Sequence, residues 1–185
     1  MSILIENKEI KQALVEKVKD FQLPRYEEIP DVGLYLDQVV RYVNRYFPLC
    51  SENEITPSMV SNYVKHKIIN GPKKKCYGKE SIARLIFVCY MKMVSPLEDI
   101  RLMEERQNNT YPLNIAYDYF CEELENMLQH VFGMKPEPDE VGKDHTLEKE
   151  LLRSAVLAVT HKLYLDNYFR LIREYAAVED EESEV

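Results

Sequence analysis

The sequence is poor in glycine, has no tryptophan and contains no long apolar run. Glycine occurs only five times in 185 residues, and because glycine is the main turn former in β structure, this scarcity favours helices over sheets. No apolar stretch approaches the roughly 18 residues that a transmembrane helix needs. The first nine residues lack the basic flank and apolar core of a signal peptide. We therefore expect an all-α, mainly helical protein of the cytoplasm without a membrane partner.

Motifs that would indicate an enzyme or a metal site are also missing. The four cysteines are widely spaced without a CxxC pair, which favours reduced thiols over disulfides or metal ligands. The four histidines show no HxxxH spacing. There is no phosphate-binding glycine-rich loop, no GxSxG sequence and no Cys/His nucleophile pattern. We expect no enzymatic activity, no cofactor and no metal.

Charge is strongly segregated along the chain. The net charge of −8 would by itself argue against a nucleic-acid partner. Between Thr56 and Lys79, however, there are six lysines and no acid, so this segment carries +6 and the remainder −14. A basic segment on an acidic protein is where a polyanion could bind. Five acids fall within Glu179–Val185, and this composition predicts a disordered acidic tail at 179–185.

The first half of the chain shows helical spacing of apolar residues with clear start and stop signals. The pattern predicts an amphipathic helix at 6–20 and a second one from Pro30 to Phe47. Thr56 is a good N-cap, and Pro57 suits the first position of the next helix, at 57–67. Asn70-Gly71-Pro72 should end that helix, and residues 72–77 should form a short basic hairpin, or wing.

The second half is predicted to be helical throughout. A helix from about Lys79 is apolar nearly all round, so other helices should cover it. Ser95-Pro96-Leu97-Glu98 has the sequence of a capping box. Two longer helices are predicted at 113–132, with Gly133 as C-cap, and at 147–177, with Thr146 as N-cap. We divide the chain into an N-terminal helix at 1–20, a DNA-binding domain at 21–106, a helical dimerisation or effector region at 107–178, and the tail.

This order of helix, turn, helix, basic wing and capped helix resembles the DNA-binding domain of the MerR family of bacterial regulators. That family has an S/T-P-x-x-L-x-x-Y recognition helix, and a basic-x-Tyr element ends its wing. The matching residues in this chain are Thr56, Pro57, Val60 and Tyr63 in the helix, and Lys75, Cys76 and Tyr77 in the wing. The resemblance covers Ile55–Met103 and implies a winged helix-turn-helix. Ser58 and Ser61 stand where that family usually has arginines.

The whole chain is more closely similar to a family of uncharacterised bacterial proteins whose function is unassigned. Its recurring features are present as Leu23-Pro24-Arg25-Tyr26, as the stretch from Ile55 to Lys65, and as the lysine-rich wing. This second resemblance implies a bacterial protein and a fold, but brings no biochemistry.

Together these features predict a transcription regulator that binds double-stranded DNA, as a homodimer on a two-fold site. Lysines near phosphates release counterions and so supply salt-dependent affinity. Asn62 and Ser58 have the size and polarity to read base edges, while the lysines position the protein. The candidate DNA-binding residues are Thr56, Ser58, Ser61, Asn62, Lys65, Lys67, Lys73, Lys74, Lys75 and Tyr77.

Other interpretations of the same residues stay open. The lysine cluster could be a solvated surface loop, or could bind an acidic protein as an interaction module. The helical region could bind a small molecule and so supply an effector site, dimerisation, or both. Its aromatic residues would then line a pocket, but plain bundle packing is the favoured explanation for them. These residues are Tyr111, Tyr117, Tyr119, Phe120, Tyr164, Tyr168 and Phe169.

Overall fold

The computed structural model describes the backbone of residues 2–49, 54–142 and 144–183, and the side chains of 8–49, 54–142 and 144–177. Within these ranges there are seven α-helices, one 3-10 turn at Tyr26–Glu28 and only isolated β-bridges. The predicted mainly helical class is therefore confirmed. The helices are α1 (Ser2–Val18), α2 (Leu36–Asn44), α3 (Pro57–Lys65), α4 (Lys79–Met91), α5 (Leu97–Thr110), α6 (Leu113–Val131) and α7 (Leu147–Ser183).

Several predicted helix ends are confirmed by their capping geometry. The Thr56 hydroxyl accepts a hydrogen bond from the Met59 amide at 3.3 Å, with Pro57 at the first helical position. The Thr146 hydroxyl accepts one from the Lys149 amide at 3.4 Å. Gly133 follows α6 with φ of +83°, which a residue with a Cβ adopts only at a cost. Local chemistry decides these ends, so they can be predicted from the sequence.

Two other predicted helix starts are wrong. The predicted second helix begins at Leu36 rather than Pro30, because the backbone of Leu34 pairs with Tyr77 through hydrogen bonds of 3.0 and 2.8 Å. A residue whose N–H and C=O serve such a bridge cannot also serve a helix. At the predicted capping box, the N-cap of α5 is Pro96 rather than Ser95, and no side-chain hydrogen bond caps that helix.

Helix α4 lies at the centre of the molecule. It packs against α2, α5, α6 and α7, and its buried residues occupy every side of the helix. The prediction that other helices cover α4 is confirmed. Tyr90 is fully buried near its end, stacked on Phe47 at 4.4 Å between ring centroids. Helices α6 and α7 pack along each other, and α1 packs on α7.

The Leu23-Pro24-Arg25-Tyr26 segment is anchored on α6. The Arg25 guanidinium donates to both carboxylate oxygens of Glu125, at 2.7 and 2.6 Å, and the Leu23 amide donates to the same carboxylate at 2.8 Å. The Tyr26 amide donates to Asp118 at 2.7 Å. These charge-assisted bonds are stronger than neutral ones. The segment therefore joins the chain before α2 to the helical region after residue 107.

Helix α7 continues to Ser183, five residues into the tail that composition predicts to be disordered. The last two residues, Glu184 and Val185, lie outside the described part of the chain. None of the helices in the described ranges combines the length and the apolar character that crossing a membrane requires.

A buried ion pair joins α4 to α5 and makes stability depend on pH. Arg84 donates to Glu104 at 3.1 Å, and the Glu104 side chain is only 10% exposed. Burial raises the pKa of Glu104 to about 7, although Arg84 acts in the opposite direction. A carboxyl with a raised folded-state pKa holds its proton more tightly in the folded chain. Its contribution to stability is therefore fully present below about pH 4.5 and is lost as the pH rises from there through 7.

We expect Glu104→Gln to remove this pH dependence. Relative to the variant, the native chain should lose about 2 to 3 kcal/mol of unfolding free energy between pH 5 and 7.5, since one pKa unit corresponds to about 1.4 kcal/mol. Urea unfolding at both pH values measures this difference, and other titrating groups cancel in the comparison. The hydrogen bond from Lys149 lowers the pKa of Asp144 to about 2, so the titration of Asp144 changes the stability only below this pH range. Parallel pH curves for the two proteins would contradict the assignment.

Candidate nucleic-acid interface

The start of α3 is held against α2 by one asparagine. The Asn44 amide donates to the Ile55 carbonyl at 3.1 Å, and its oxygen accepts from the Ile55 amide at 2.9 Å. This two-way contact clamps the backbone immediately before the Thr56 cap. Helices α2 and α3 also pack on each other. The connection between them includes residues 50–53, which lie outside the described ranges.

Helix α3 has one buried and one exposed face. Val60 and Tyr63 are buried, so Tyr63 packs inside the protein. The predicted polar residues are all exposed: Thr56, Ser58, Ser61, Asn62 and Lys65. The Ser58 hydroxyl lies 2.9 Å from that of Thr56, and the Ser61 hydroxyl donates to the Pro57 carbonyl at 2.9 Å. Within the described part of the chain, no group bonds to the Asn62 side-chain amide, so it is available to a ligand.

A lysine occupies the position after α3 where glycine is usual. The Ile68 amide donates to the Tyr63 carbonyl at 2.9 Å, and the Lys67 amide donates to Val64 at 3.0 Å. These two bonds define the Schellman motif, whose C′ residue has positive φ and is usually glycine. Lys67 takes that position with φ of 57°. The motif places the exposed Lys67 side chain at the end of α3.

The predicted wing is a tight hairpin with lysines at its tip. Lys73 and Cys76 exchange backbone hydrogen bonds of 2.9 and 3.0 Å. The two residues between them, Lys74 and Lys75, have φ of 50° and 68°, as in the type I′ turn that normally holds Asn-Gly. At the base, a Cβ on Gly33 would lie 2.7 Å from the Cβ of Cys76. Only glycine allows the loop before α2 to approach the wing this closely.

Five lysines of this region share two properties. All are exposed, and in the part of the chain that the structure describes none takes part in an ion pair: Lys65, Lys67, Lys73, Lys74 and Lys75. No acid lies between Ile55 and Gly78. Lys73 is the sixth residue after Lys67, so their Cα atoms lie at most about 22 Å apart. We call these five residues the lysine surface. Its charge is uncompensated, which suits a polyanion.

Lys79 and Tyr77 lie apart from this surface. The Lys79 ammonium contacts Glu27 at 3.0 Å and lies 5.3 Å from the centre of the Tyr26 ring, so its charge is matched within the chain. Tyr77 was a predicted DNA contact, but its side chain is only 5% exposed, and burial raises its pKa. Its backbone fixes the wing to Leu34, and its ring packs inside. Tyr77 therefore builds the wing and offers little surface to a ligand.

Sequence reasoning missed two arginines, Arg41 within α2 and Arg45 at the C-cap of that helix. Arg41 and Arg45 are exposed, and within the described residues neither forms an ion pair. Together with Leu34 they line a cavity of about 250 Å³. Since Leu34 pairs with Tyr77, this cavity adjoins the base of the wing. Arg41 and Arg45 are four residues apart and lie opposite the apolar face of α2, and this pattern in the sequence could have identified them.

The three left-handed lysines carry a measurable cost. An L-residue with positive φ is destabilised by about 1 kcal/mol or more. Replacing Lys74 with Asn and Lys75 with Gly, the residues that this turn prefers, should raise the unfolding free energy by about 1 to 2 kcal/mol. The same change removes two charges of the lysine surface and should weaken duplex binding. Urea denaturation should show the rise in unfolding free energy, and a binding assay should show the loss of duplex affinity. A variant no more stable than the native chain would show that the lysine backbones are not strained.

One comparison with known proteins identifies a family. Residues 24–120 match the model of a domain of unknown function, DUF1836. This match covers more than half of the chain, which therefore belongs to that family. It begins at Pro24, inside the segment anchored on α6, and ends at Phe120, within α6 itself. No curated protein and no solved structure matches the chain.

Proposed function

We propose that this member of the DUF1836 family binds double-stranded DNA through α3 and the wing, as a transcription regulator with a MerR-like winged helix-turn-helix. The observation that carries the proposal is the lysine surface, in which five exposed lysines have no acidic partner among the residues that the structure describes. An ordinary solvated surface of an acidic protein mixes both signs of charge. Here a helix and the hairpin next to it both present lysines, and three of these lysines have strained backbones.

The lysine surface supplies affinity without sequence preference. Each lysine near a phosphate releases condensed counterions, and the free energy of that release falls as salt rises. Lys73, Lys74 and Lys75 flank a groove from the wing, while Lys65 and Lys67 contact phosphates from the end of α3. Arg41 and Arg45 extend the same contacts along α2. These groups set the register of the protein on the duplex.

Asn62 and Ser58 read the sequence. An Asn amide can bond bidentately with adenine in the major groove, and a serine hydroxyl can donate or accept. The free amide of Asn62 favours it as the principal reading residue. Among the described residues, the Ser58 hydroxyl bonds only with the Thr56 hydroxyl, so it can form a further hydrogen bond with a base. Ser61 contributes less, because its hydrogen is committed to the Pro57 carbonyl.

The experiment that tests this function is enrichment of bound sequences from random duplexes. The native chain should enrich one motif, and Lys73→Glu combined with Lys74→Glu and Lys75→Glu should enrich none. A matched control carries Lys8→Glu, Lys11→Glu and Lys17→Glu on α1, with the same change in net charge. Equal retention of all duplexes, or of none, by the native chain would reject the regulator and direct attention to an acidic protein partner.

A seam of exposed residues along α7 supports a homodimer. Nine positions spaced three or four residues apart follow one face of the helix, and all are exposed. They are Leu147, Leu151, Ser154, Ala158, His161, Leu165, Phe169, Ile172 and Ala176. Apart from two consecutive four-residue steps between His161 and Phe169, the steps alternate between four and three residues, as in a coiled-coil interface. At 1.5 Å per residue the seam is about 44 Å long, which suits a second copy of the same helix. A dimer would bind two half-sites related by two-fold symmetry.

We expect a single charge in this seam to dissociate the dimer. Leu165 is 48% exposed, and Leu165→Glu removes two leucines from the interface, one from each copy. Burial of a leucine contributes about 1.5 to 3 kcal/mol, so dimerisation should weaken at least a hundredfold. Tyr175→Glu is the control, since Tyr175 is 40% exposed but lies off the seam. Sedimentation measures the result, and a native chain that is monomeric at 100 μM concentration would reject the dimer.

A further inference from the structure

A cavity lies where α4 meets α5, α6 and α7. Its volume is about 230 Å³, and the side chains that line it are mainly apolar. Phe87 of α4, Met103 of α5, Ile115 of α6 and Leu152 of α7 all contribute to its walls. Three of the aromatic residues singled out in the sequence, Tyr111, Tyr117 and Tyr119, also line it. Phe120 is instead buried in the core.

The walls of the cavity are held in place by hydrogen bonds. The Tyr111 hydroxyl donates to Asp144 at 2.6 Å and lies 3.1 Å from the Thr146 hydroxyl. Gln107 donates to the Tyr111 carbonyl at 2.7 Å. The Lys149 ammonium lies 4.6 Å from the centre of the Tyr119 ring. Ligand sites are usually preformed and lined by apolar and aromatic groups with a few fixed polar ones.

Six charged residues line the cavity, three of each sign: Arg84, Arg106, Lys149, Glu104, Asp144 and Glu148. Arg84 pairs with Glu104, and Lys149 pairs with Asp144, whereas Arg106 and Glu148 form no ion pair within the described part of the chain. Because the two signs balance in the lining, the cavity favours a ligand without net charge. The Glu104 carboxylate accepts one hydrogen bond from Arg84 and keeps lone pairs for another donor. A ligand with one N–H or O–H group fits that capacity.

Size and lining together define the occupant. A cavity of about 150 Å³ holds benzene, so 230 Å³ accommodates one or two fused rings. We propose that this cavity binds a small, uncharged aromatic molecule that donates one hydrogen bond to Glu104. The proposal concerns this cavity alone and does not depend on DNA binding. Because α4 both lines the cavity and begins directly after the wing, such a ligand would contact the helix next to the lysine surface.

The test uses the full chain and three related probes. Indole has the required size and a single N–H donor, 1-methylindole lacks the donor, and indole-3-carboxylate adds a negative charge. We expect indole to bind with a dissociation constant below 1 mM, as measured by calorimetry. The other two probes should bind at least fivefold more weakly. No binding of indole at 1 mM, or equal binding of the carboxylate, would overturn the proposal.

A pair of variants locates the binding site. Ala116 lines the cavity, so Ala116→Phe should fill it and weaken indole binding at least tenfold. Ala177→Phe makes the same change at an exposed position on α7 outside the cavity, and should leave binding unchanged. If Ala116→Phe does not fold, labelled methionine methyl groups in the native chain answer the same question. Indole should shift the Met103 resonance, and an unshifted Met103 in an indole-saturated chain would overturn the site.

Discussion

Replacing Lys73, Lys74 and Lys75 with alanine is expected to weaken duplex binding by a few hundredfold at 0.1 M salt. Each lysine that neutralises a phosphate contributes about 0.9 to the slope of log affinity against log salt concentration. The three together therefore account for about 2.7 of that slope, which corresponds to roughly 500-fold at 0.1 M salt. The three residues are exposed and form no ion pair within the described part of the chain, so their removal leaves no acid unpaired.

The decisive measurement is the slope and not affinity alone. Binding of one duplex is measured between 50 and 300 mM salt for the native chain, the triple variant and a control. The control carries Lys8→Ala, Lys11→Ala and Lys17→Ala on α1, which removes the same charge far from the wing in sequence. Long-range charge alone would affect both variants equally. Identical slopes for the native chain and the wing variant would show that the wing does not contact the DNA phosphates, whatever the affinities are.

The second large effect concerns stability. Glu125→Ala leaves the Arg25 guanidinium without its two carboxylate bonds and the Leu23 amide without its acceptor. Unpairing a partly buried charge and a backbone donor should lower the unfolding free energy by about 3 kcal/mol. Domains of this size are stable by only about 5 to 15 kcal/mol. Urea unfolding followed by circular dichroism measures the loss.

A neighbouring glutamate on the same helix provides the control. Glu122 is exposed, and Glu122→Ala should change the unfolding free energy by less than about 0.5 kcal/mol. Replacing both partners, with Arg25→Met and Glu125→Leu, should recover part of the loss because no charge then stays unpaired. If Glu125→Ala is as stable as Glu122→Ala, the anchored segment contributes nothing to the fold.

This anchoring gives a structural reason for a segment that carried part of the predicted family resemblance. The residue pattern of Leu23-Pro24-Arg25-Tyr26 alone does not separate a binding motif from a structural one. Its partners Asp118 and Glu125 lie about a hundred residues further along the chain. The segment ties the beginning of the predicted DNA-binding domain to α6. A boundary at residue 106 therefore crosses strong contacts, and the matched family domain also extends beyond it, to Phe120.

The candidate site combines features that the sequence predicts with features that depend on distant contacts. The exposure of Ser58, Asn62 and the five lysines follows from helical periodicity and charge, which are local properties. The burial of Tyr77 and the matched charge of Lys79 do not, because their partners come from Leu34 and Glu27. Arg41 and Arg45 were missed because their position near the wing depends on the contact between the loop before α2 and the wing, which the sequence does not reveal.

The helical class, the caps at Thr56, Thr146 and Gly133, and the segregation of charge all follow from the sequence alone. The caps depend on residues within about one helical turn, where backbone geometry and hydrogen bonding act between neighbours. The start of α2 at Leu36, the burial of Tyr77 and the cavity between α4 and α7 emerge only in the folded chain. Those features depend on contacts between residues distant in sequence, whose free energies outweigh the local preferences for helix, turn and exposure.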